Sequence, residues 1–194
     1  MRTKAIIIKK QMTKEYDQLI TCYSQEWGKL TAIAKSSLKE SSIQGMHLDV
    51  LNLVDFDLIN GRATPIITGA QSENTFSHIR KSLAHQAVAY FFFEVIDRVA
   101  YDNQKDEKLW NFLYRLLIEL DAADASALMP FFREKQADFL NVLGYASQLP
   151  VIPVATASAG PRYGGATFPS PLDTIYEYTF SLRLNSLRFL YEVM

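Results

Sequence analysis

The hydrophobic pattern of this 194-residue chain changes period near residue 77, and that change divides what the chain can fold into. Before it, the segments "KAIIIKK", "DQLITCYS", "KLTAIAK", "MHLDVLNLVDFDLI" and "RATPIITGAQ" carry β-branched and alternating residues between turn signals, so each reads as a strand. In the fourth, Met46, Leu48, Val50, Val54, Phe56 and Leu58 share one parity, while His47, Asp49, Asp55 and Asp57 share the other. That pattern predicts one strand over 46–58 with a buried face and a wet one. Asn60-Gly61 follows directly, and this pair accepts the positive φ angles of a type I′ turn, which predicts a hairpin with the fifth strand. Five short strands in about 75 residues predict a small antiparallel barrel.

From Ser77 the period is helical. Ser77 is placed to cap a helix through "HIRKSLAHQAVAYFFFEVIDRVA", with Ile79, Leu83, Ala87 and Tyr90 on one stripe and Phe91, Phe92 and Phe93 widening it. A second helix, "EKLWNFLYRLLIEL", aligns Leu109, Leu113, Leu116 and Leu120. A third spans roughly Asp124 to Leu143 and ends at Gly144, with Pro130 either kinking it or marking its start. The stretch at about 149–171, rich in Pro, Gly and Ser, reads as a surface loop. After it Ser170 is the N-cap, Pro171 the first residue and Asp173 the third residue of a last helix running to the C-terminus. The fold class is therefore α+β, with a small antiparallel β-barrel over 1–76 and an all-helical domain over 77–194.

Composition narrows the function. Cys22 is the single cysteine, which excludes an intramolecular disulfide framework and a zinc site of several thiolates, and fits a reducing, cytoplasmic address. The apolar patch Ala5 to Ile8 is too short for a signal-peptide core, and "AVAYFFFEVI" is interrupted by Glu94, so neither export nor a membrane partner is expected. Catalytic constellations are thin. His78 and His85 are two helical turns apart with no third ligand, Cys22 has no local histidine, and Asp55 and Asp57 read as a solvated sheet face. No phosphate-cradling glycine loop is present. The chain reads as no enzyme, with no cofactor.

Charge carries the positive signal. Residues 1–39 hold eight Lys or Arg (Arg2, Lys4, Lys9, Lys10, Lys14, Lys29, Lys35 and Lys39) against Glu15, Asp17 and Glu26, although the whole chain is only -1. In "KLTAIAK", Lys29, Thr31, Ile33 and Lys35 share one strand face while Leu30, Ala32 and Ala34 share the other and enter the barrel. The outward lysines, extended by Lys39 and joined by Lys9, Lys10 and Lys14, form a candidate track for a phosphate backbone. Arg80 and Lys81, at the start of the first helix, extend it. Tyr16, Tyr23 and Trp27 lie among these residues, to stack on bases or to fill the core.

The segments "KAIIIKK", "YDQLITCYSQEWGKLTAIAKSSLK", "HIRKSLAHQAVAYFFFEVIDRV", "FLNVLGYAS" and "LNSLRFLYEV", in this order, resemble the RecO family of bacterial recombination mediators and DNA-repair proteins. The resemblance implies an OB-fold for the barrel and binding of single- and double-stranded DNA. It also implies annealing of strands coated by single-stranded-DNA-binding protein, and action with RecR to help load the recombinase RecA. Many members carry a four-cysteine zinc module that this chain lacks, so zinc is not expected. The glycine that commonly follows "AK" is Ser36 here. The competing expectation is a protein-interaction adaptor whose barrel does not hold DNA tightly.

Overall fold

A computed structural model describes residues 1–145, 162–163, 166–167, 170–180 and 183–194. Five strands, β1 (Arg2–Met12), β2 (Gln18–Ser24), β3 (Gly28–Ala34), β4 (Leu53–Ile59) and β5 (Ile66–Asn74), close a barrel in the order β1-β2-β3-β5-β4. All neighbours are antiparallel except β3 and β5, which meet in a short parallel pairing at Ile33–Ile66 and Ala34–Ile67. The interior is filled by alternate residues of each strand: Ala5 and Ile7, Ile20 and Cys22, Leu30, Ala32 and Ala34, then Val54, Phe56, Leu58 and Ile67. This is the five-strand Greek-key barrel of the OB-fold.

Two expectations within the barrel need correction. The predicted strand over 46–58 begins only at Leu53. Before it comes α1 (Gln44–His47), a single helical turn, and Leu51 takes φ 78. Met46 is thereby turned to solvent at 71% exposure, while Leu48 still enters the barrel core. The side chain of Asn52 holds the break, donating to the Met46 and His47 carbonyls. The parity pattern was true of Val54, Phe56 and Leu58 alone. The β4–β5 hairpin forms, but through a loop of residues 60–65 rather than a two-residue turn. Gly61 is needed there because a Cβ would lie 2.0 Å from the Thr64 carbonyl oxygen.

The chain divides into two compact units, one of Met1–Ser77 with Ile96–Tyr114, the other of His78–Val95 with Arg115–Met194. The predicted first helix is two, α2 (Ser77–Lys81) and α3 (Leu83–Val99), broken at Ser82, and Leu83 is 61% exposed rather than on a buried stripe. In α4 (Glu107–Asp121) Leu109, Leu113, Leu116 and Leu120 are all buried, as the spacing requires. A 3-10 turn (Ala125–Ala127) leads into α5 (Leu128–Val142), which places Pro130 in the first turn, where its missing N–H costs nothing. Gly144 closes it at φ 86.

The predicted loop at 149–171 falls mostly outside the described residues; within it β6 (Arg162–Tyr163) and β7 (Ala166–Thr167) pair antiparallel. The last predicted helix is again two, α6 (Pro171–Phe180) and α7 (Asn185–Val193). Ser170 and Asp173 cap α6 reciprocally: the Asp173 N–H donates to Ser170 Oγ at 3.4 Å and the Ser170 N–H to Asp173 Oδ2 at 2.9 Å. In the second unit Phe91, Phe92, Phe132, Phe139 and Tyr176 form an edge-to-face cluster, with centroids 5.0 Å apart for Phe91–Phe132 and Phe91–Tyr176. No helix among the described residues is long and apolar enough to cross a membrane.

Candidate nucleic-acid interface

The alternation in β3 holds along its length, with Leu30, Ala32 and Ala34 buried in the barrel and Lys29, Thr31 and Ile33 on the outer side. A bulge between Ile7 and Lys9 shifts β1 by one residue. It puts Lys9 opposite Thr21, in the outer row that continues to Thr31, and Lys10 opposite Ile20, on the inward parity near the strand end. Without the bulge the two lysines would exchange faces.

Three of the candidate lysines are taken up by acids. Lys9 Nζ donates to Asp97 Oδ2 at 2.8 Å, and Lys10 Nζ to Asp49 Oδ1 at 2.6 Å. Lys29 Nζ donates to the Asp97 carbonyl at 2.8 Å and lies 3.3 Å from Asp102 Oδ1, its side chain only 13% exposed. The segment that supplies these groups also pairs with the β3 backbone, since the Asn103 N–H donates to the Lys29 carbonyl at 2.7 Å. Gly28, at φ 68, lets the segment approach, because a Cβ there would sit 1.9 Å from the Gln104 carbonyl oxygen.

Arg2 and Lys4 are paired as well. The Arg2 guanidinium donates twice to Asp55, which holds that carboxyl below the usual carboxylate range, and Lys4 Nζ lies 2.8 Å from Glu73. Of the eight cations in residues 1–39, five therefore meet acids from later in the chain. The unit that contains the barrel carries twelve Lys or Arg and twelve Asp or Glu. Its basic amino-terminal third is electrostatically balanced by its own remainder.

Lys14, Lys35 and Lys39 have no acid partner among the described residues, and they meet at one end of the barrel. The last residue of β3, Ala34, pairs with Gln18 at the start of β2 on one side and with Ile67 of β5 on the other. The loop 13–17 and the loop 60–65 consequently flank the exit of β3, where Lys35 begins the next loop. The Leu38 N–H donates to the Tyr16 carbonyl at 3.1 Å, the Ser36 N–H to Asp17 Oδ1 at 2.8 Å, and Ser37 Oγ bonds Gln18 Oε1. Ser36 takes φ 53, the left-handed conformation in which a glycine is the ordinary occupant. Lys39 Nζ lies 5.5 Å from the centroid of the Tyr16 ring.

The sequence reading missed Arg62. It is exposed on the loop 60–65, has no acid partner among the described residues, and is brought beside β3 only by the parallel β3–β5 pairing. No local pattern announces that pairing. Of the aromatic candidates, Tyr16 is 43% exposed; Tyr23 is buried and Trp27 is packed against the barrel core. Arg80 and Lys81 lie on α2, the first half-buried and the second exposed; Lys81 is in the second unit, as is Arg80.

The other candidates have structural occupations. Cys22 is fully buried in the barrel, which pushes its thiol pKa far up. His85 is buried with one ring nitrogen 2.8 Å from Ser82 Oγ and the other 3.0 Å from the Ala123 carbonyl, while His78 is exposed on α2. Asp55 is held by Arg2, and Asp57 is exposed. Among the described residues no three His, Cys, Asp or Glu side chains are grouped to hold a metal ion.

A closed five-strand barrel with cations on the loops around the exit of β3 defines an OB-fold module. Residues 1–76 match the family model described as the recombination protein O N-terminal domain. The chain is 32% identical over 149 residues to a DNA repair protein RecO of Dehalococcoides mccartyi, covering 76% of this chain and 58% of that protein. It is 27% identical over 149 residues to one of a Thermoanaerobacter species (77% and 60%), and 28% identical over 175 residues to one of a Roseiflexus species (87% and 61%). The resemblance read from the sequence is thus borne out: the amino-terminal module belongs to the RecO N-terminal domain family, and the chain is a relative of RecO proteins. It spans about three fifths of the length of these relatives.

Proposed function

We propose that the chain is a non-enzymatic DNA-binding protein of DNA repair, and that it holds DNA at the end of the barrel where β3 exits. The observation that carries this reading is the gathering of Lys14, Lys35, Lys39 and Arg62, none with an acid partner among the described residues, on the three loops at that end. Loops 1–2 and 4–5 of an OB-fold are the ones that grip oligonucleotides. The relatives named as DNA repair proteins RecO support the biological setting. In that setting the chain brings complementary strands together while cations screen their repulsion. It works with RecR and single-stranded-DNA-binding protein toward loading of RecA, in the cytoplasm, without a cofactor. Lys9, Lys10 and Lys29 contribute less than the sequence suggested, because each is already compensated by an acid. Arg80 and Lys81 remain candidates for an auxiliary contact.

The test is a salt titration of labelled oligonucleotide binding. Each phosphate contact on a single strand contributes about -0.7 to the slope of log K against log salt, so three or four engaged cations give a slope of about -2 to -3. Replacing Lys14, Lys35 and Lys39 together by Ala is expected to flatten that slope to below -1. Replacing Lys9, Lys10 and Lys29 together is expected to leave most of it. The adaptor reading is favoured by one observation, the zero net charge of the barrel unit. Binding with no salt dependence in the wild type would establish that reading instead.

A further inference from the structure

We infer that this end of the barrel selects unpaired nucleotides, with Tyr16 as the ring on which a base stacks. The inference rests on the DNA-binding reading above and narrows it to one form of the ligand.

Tyr16 is positioned rather than loose. Its carbonyl accepts the Leu38 N–H, and the adjacent Asp17 carboxylate accepts the Ser36 N–H, so the two loops that bear Lys14 and Lys35 are tied at the tyrosine. The ring remains 43% exposed, with the Lys39 ammonium 5.5 Å from its centroid. Each of the three loops also carries an exposed apolar side chain at or beside it: Met12 ahead of the first, Leu38 within the second and Ile59 ahead of the third. Cations interleaved with exposed apolar groups match a strand that offers phosphates and base faces together. A duplex offers phosphates outside and keeps its bases stacked within, so the ring and the methyl groups would find no partner there.

The charge balance points the same way. The loops at this end hold Lys14, Lys35, Lys39 and Arg62 but also Glu15, Asp17 and Glu40. The local excess is a single positive charge, and a ligand held by charge alone gains little from it. Base–aromatic stacking, worth about 1–3 kcal/mol per base, then becomes the larger share of the affinity.

The experiment measures anisotropy of the full chain with a labelled single-stranded oligothymidylate and with the same strand in duplex, using wild type, Tyr16→Ala and Tyr16→Trp. Wild type is expected to hold the single strand more tightly than the duplex. Tyr16→Ala is expected to weaken single-strand binding by about 5- to 150-fold at an unchanged salt slope, and duplex binding by less than about twofold. Tyr16→Trp is expected to keep the single-strand affinity, with tryptophan emission quenched on binding beyond that of wild type. Equal losses on both ligands, or no loss on either, would overturn the stacking role while leaving salt-dependent DNA binding in place. Absence of binding to either ligand by wild type would remove the DNA-binding reading itself.

Discussion

Single residues carry the departures from local rule, and each departure has an identifiable partner. Glu94 interrupts the apolar run "AVAYFFFEVI" because its carboxylate caps α7, accepting the Asn185 N–H at 3.2 Å, the Ser186 N–H at 2.8 Å and the Ser186 hydroxyl at 2.5 Å. α7 has Leu184 at its own N-cap position, which offers no acceptor, so the cap comes from a residue ninety-one positions away. Glu94→Ala is expected to cost about 2 kcal/mol, read as a fall in melting temperature of roughly 4–8 °C. Ser36 is the converse case, a residue with a Cβ in the conformation glycine favours. Relief of about 1–2 kcal/mol of left-handed strain, less about 0.5–1 kcal/mol of added chain entropy, predicts that Ser36→Gly stabilises the protein slightly in a urea titration. Neither residue's role could be read from its neighbours in sequence: the first depends on a distant partner, the second on a backbone angle.

At the scale of elements, periodicity located the strands and helices and mistook several of their boundaries. The breaks within 46–58, at Ser82 and between α6 and α7 all occur where the hydrophobic spacing continues without interruption. An apolar pattern records which residues are buried, and a turn that keeps them buried leaves the pattern intact. Leu48 shows this, since it reaches the barrel core from outside any strand. The bulge in β1 is equally silent, yet it decides that Lys9 faces outward and meets Asp97 at the end of α3. Asp97→Asn removes the charge that compensates Lys9 while leaving Lys29 its backbone acceptor. The expected result is tighter DNA binding with a salt slope steeper by about 0.7, and a stability change within about 1 kcal/mol because the pair is partly exposed.

For the molecule as a whole, burial of ionisable hydroxyls and a thiol makes alkaline pH the destabilising direction. Burial raises the pKa of Cys22 and Tyr23 in the barrel unit and of Tyr176 and Tyr191 in the helical unit. Below the unfolded values both states hold these protons and the groups do not affect stability. Above about pH 8.5 the unfolded chain releases the Cys22 proton while the folded chain keeps it, so stability falls by about 1.4 kcal/mol per pH unit for that group. Above about pH 10 the tyrosines add to the slope. Urea midpoints measured from pH 7 to 10 are expected to decline from about pH 8.5, and Cys22→Ala to remove the first part of that decline. The same burial leaves Cys22 unreactive toward thiol reagents until the protein unfolds.

Sequence by itself determined the two-part architecture, the inner and outer faces of β2 and β3, and the capping of α6, because these follow from alternation, helical period and neighbours within four residues. It also determined the kinship with RecO proteins, through soft motifs in a fixed order. Only the tertiary structure decided which cations remain available. The acids that silence Lys9, Lys10 and Lys29 lie dozens of residues away in the chain, and Arg62 reaches the exit of β3 through barrel closure. Electrostatic attraction depends on distance in space, and a linear charge count has no access to it.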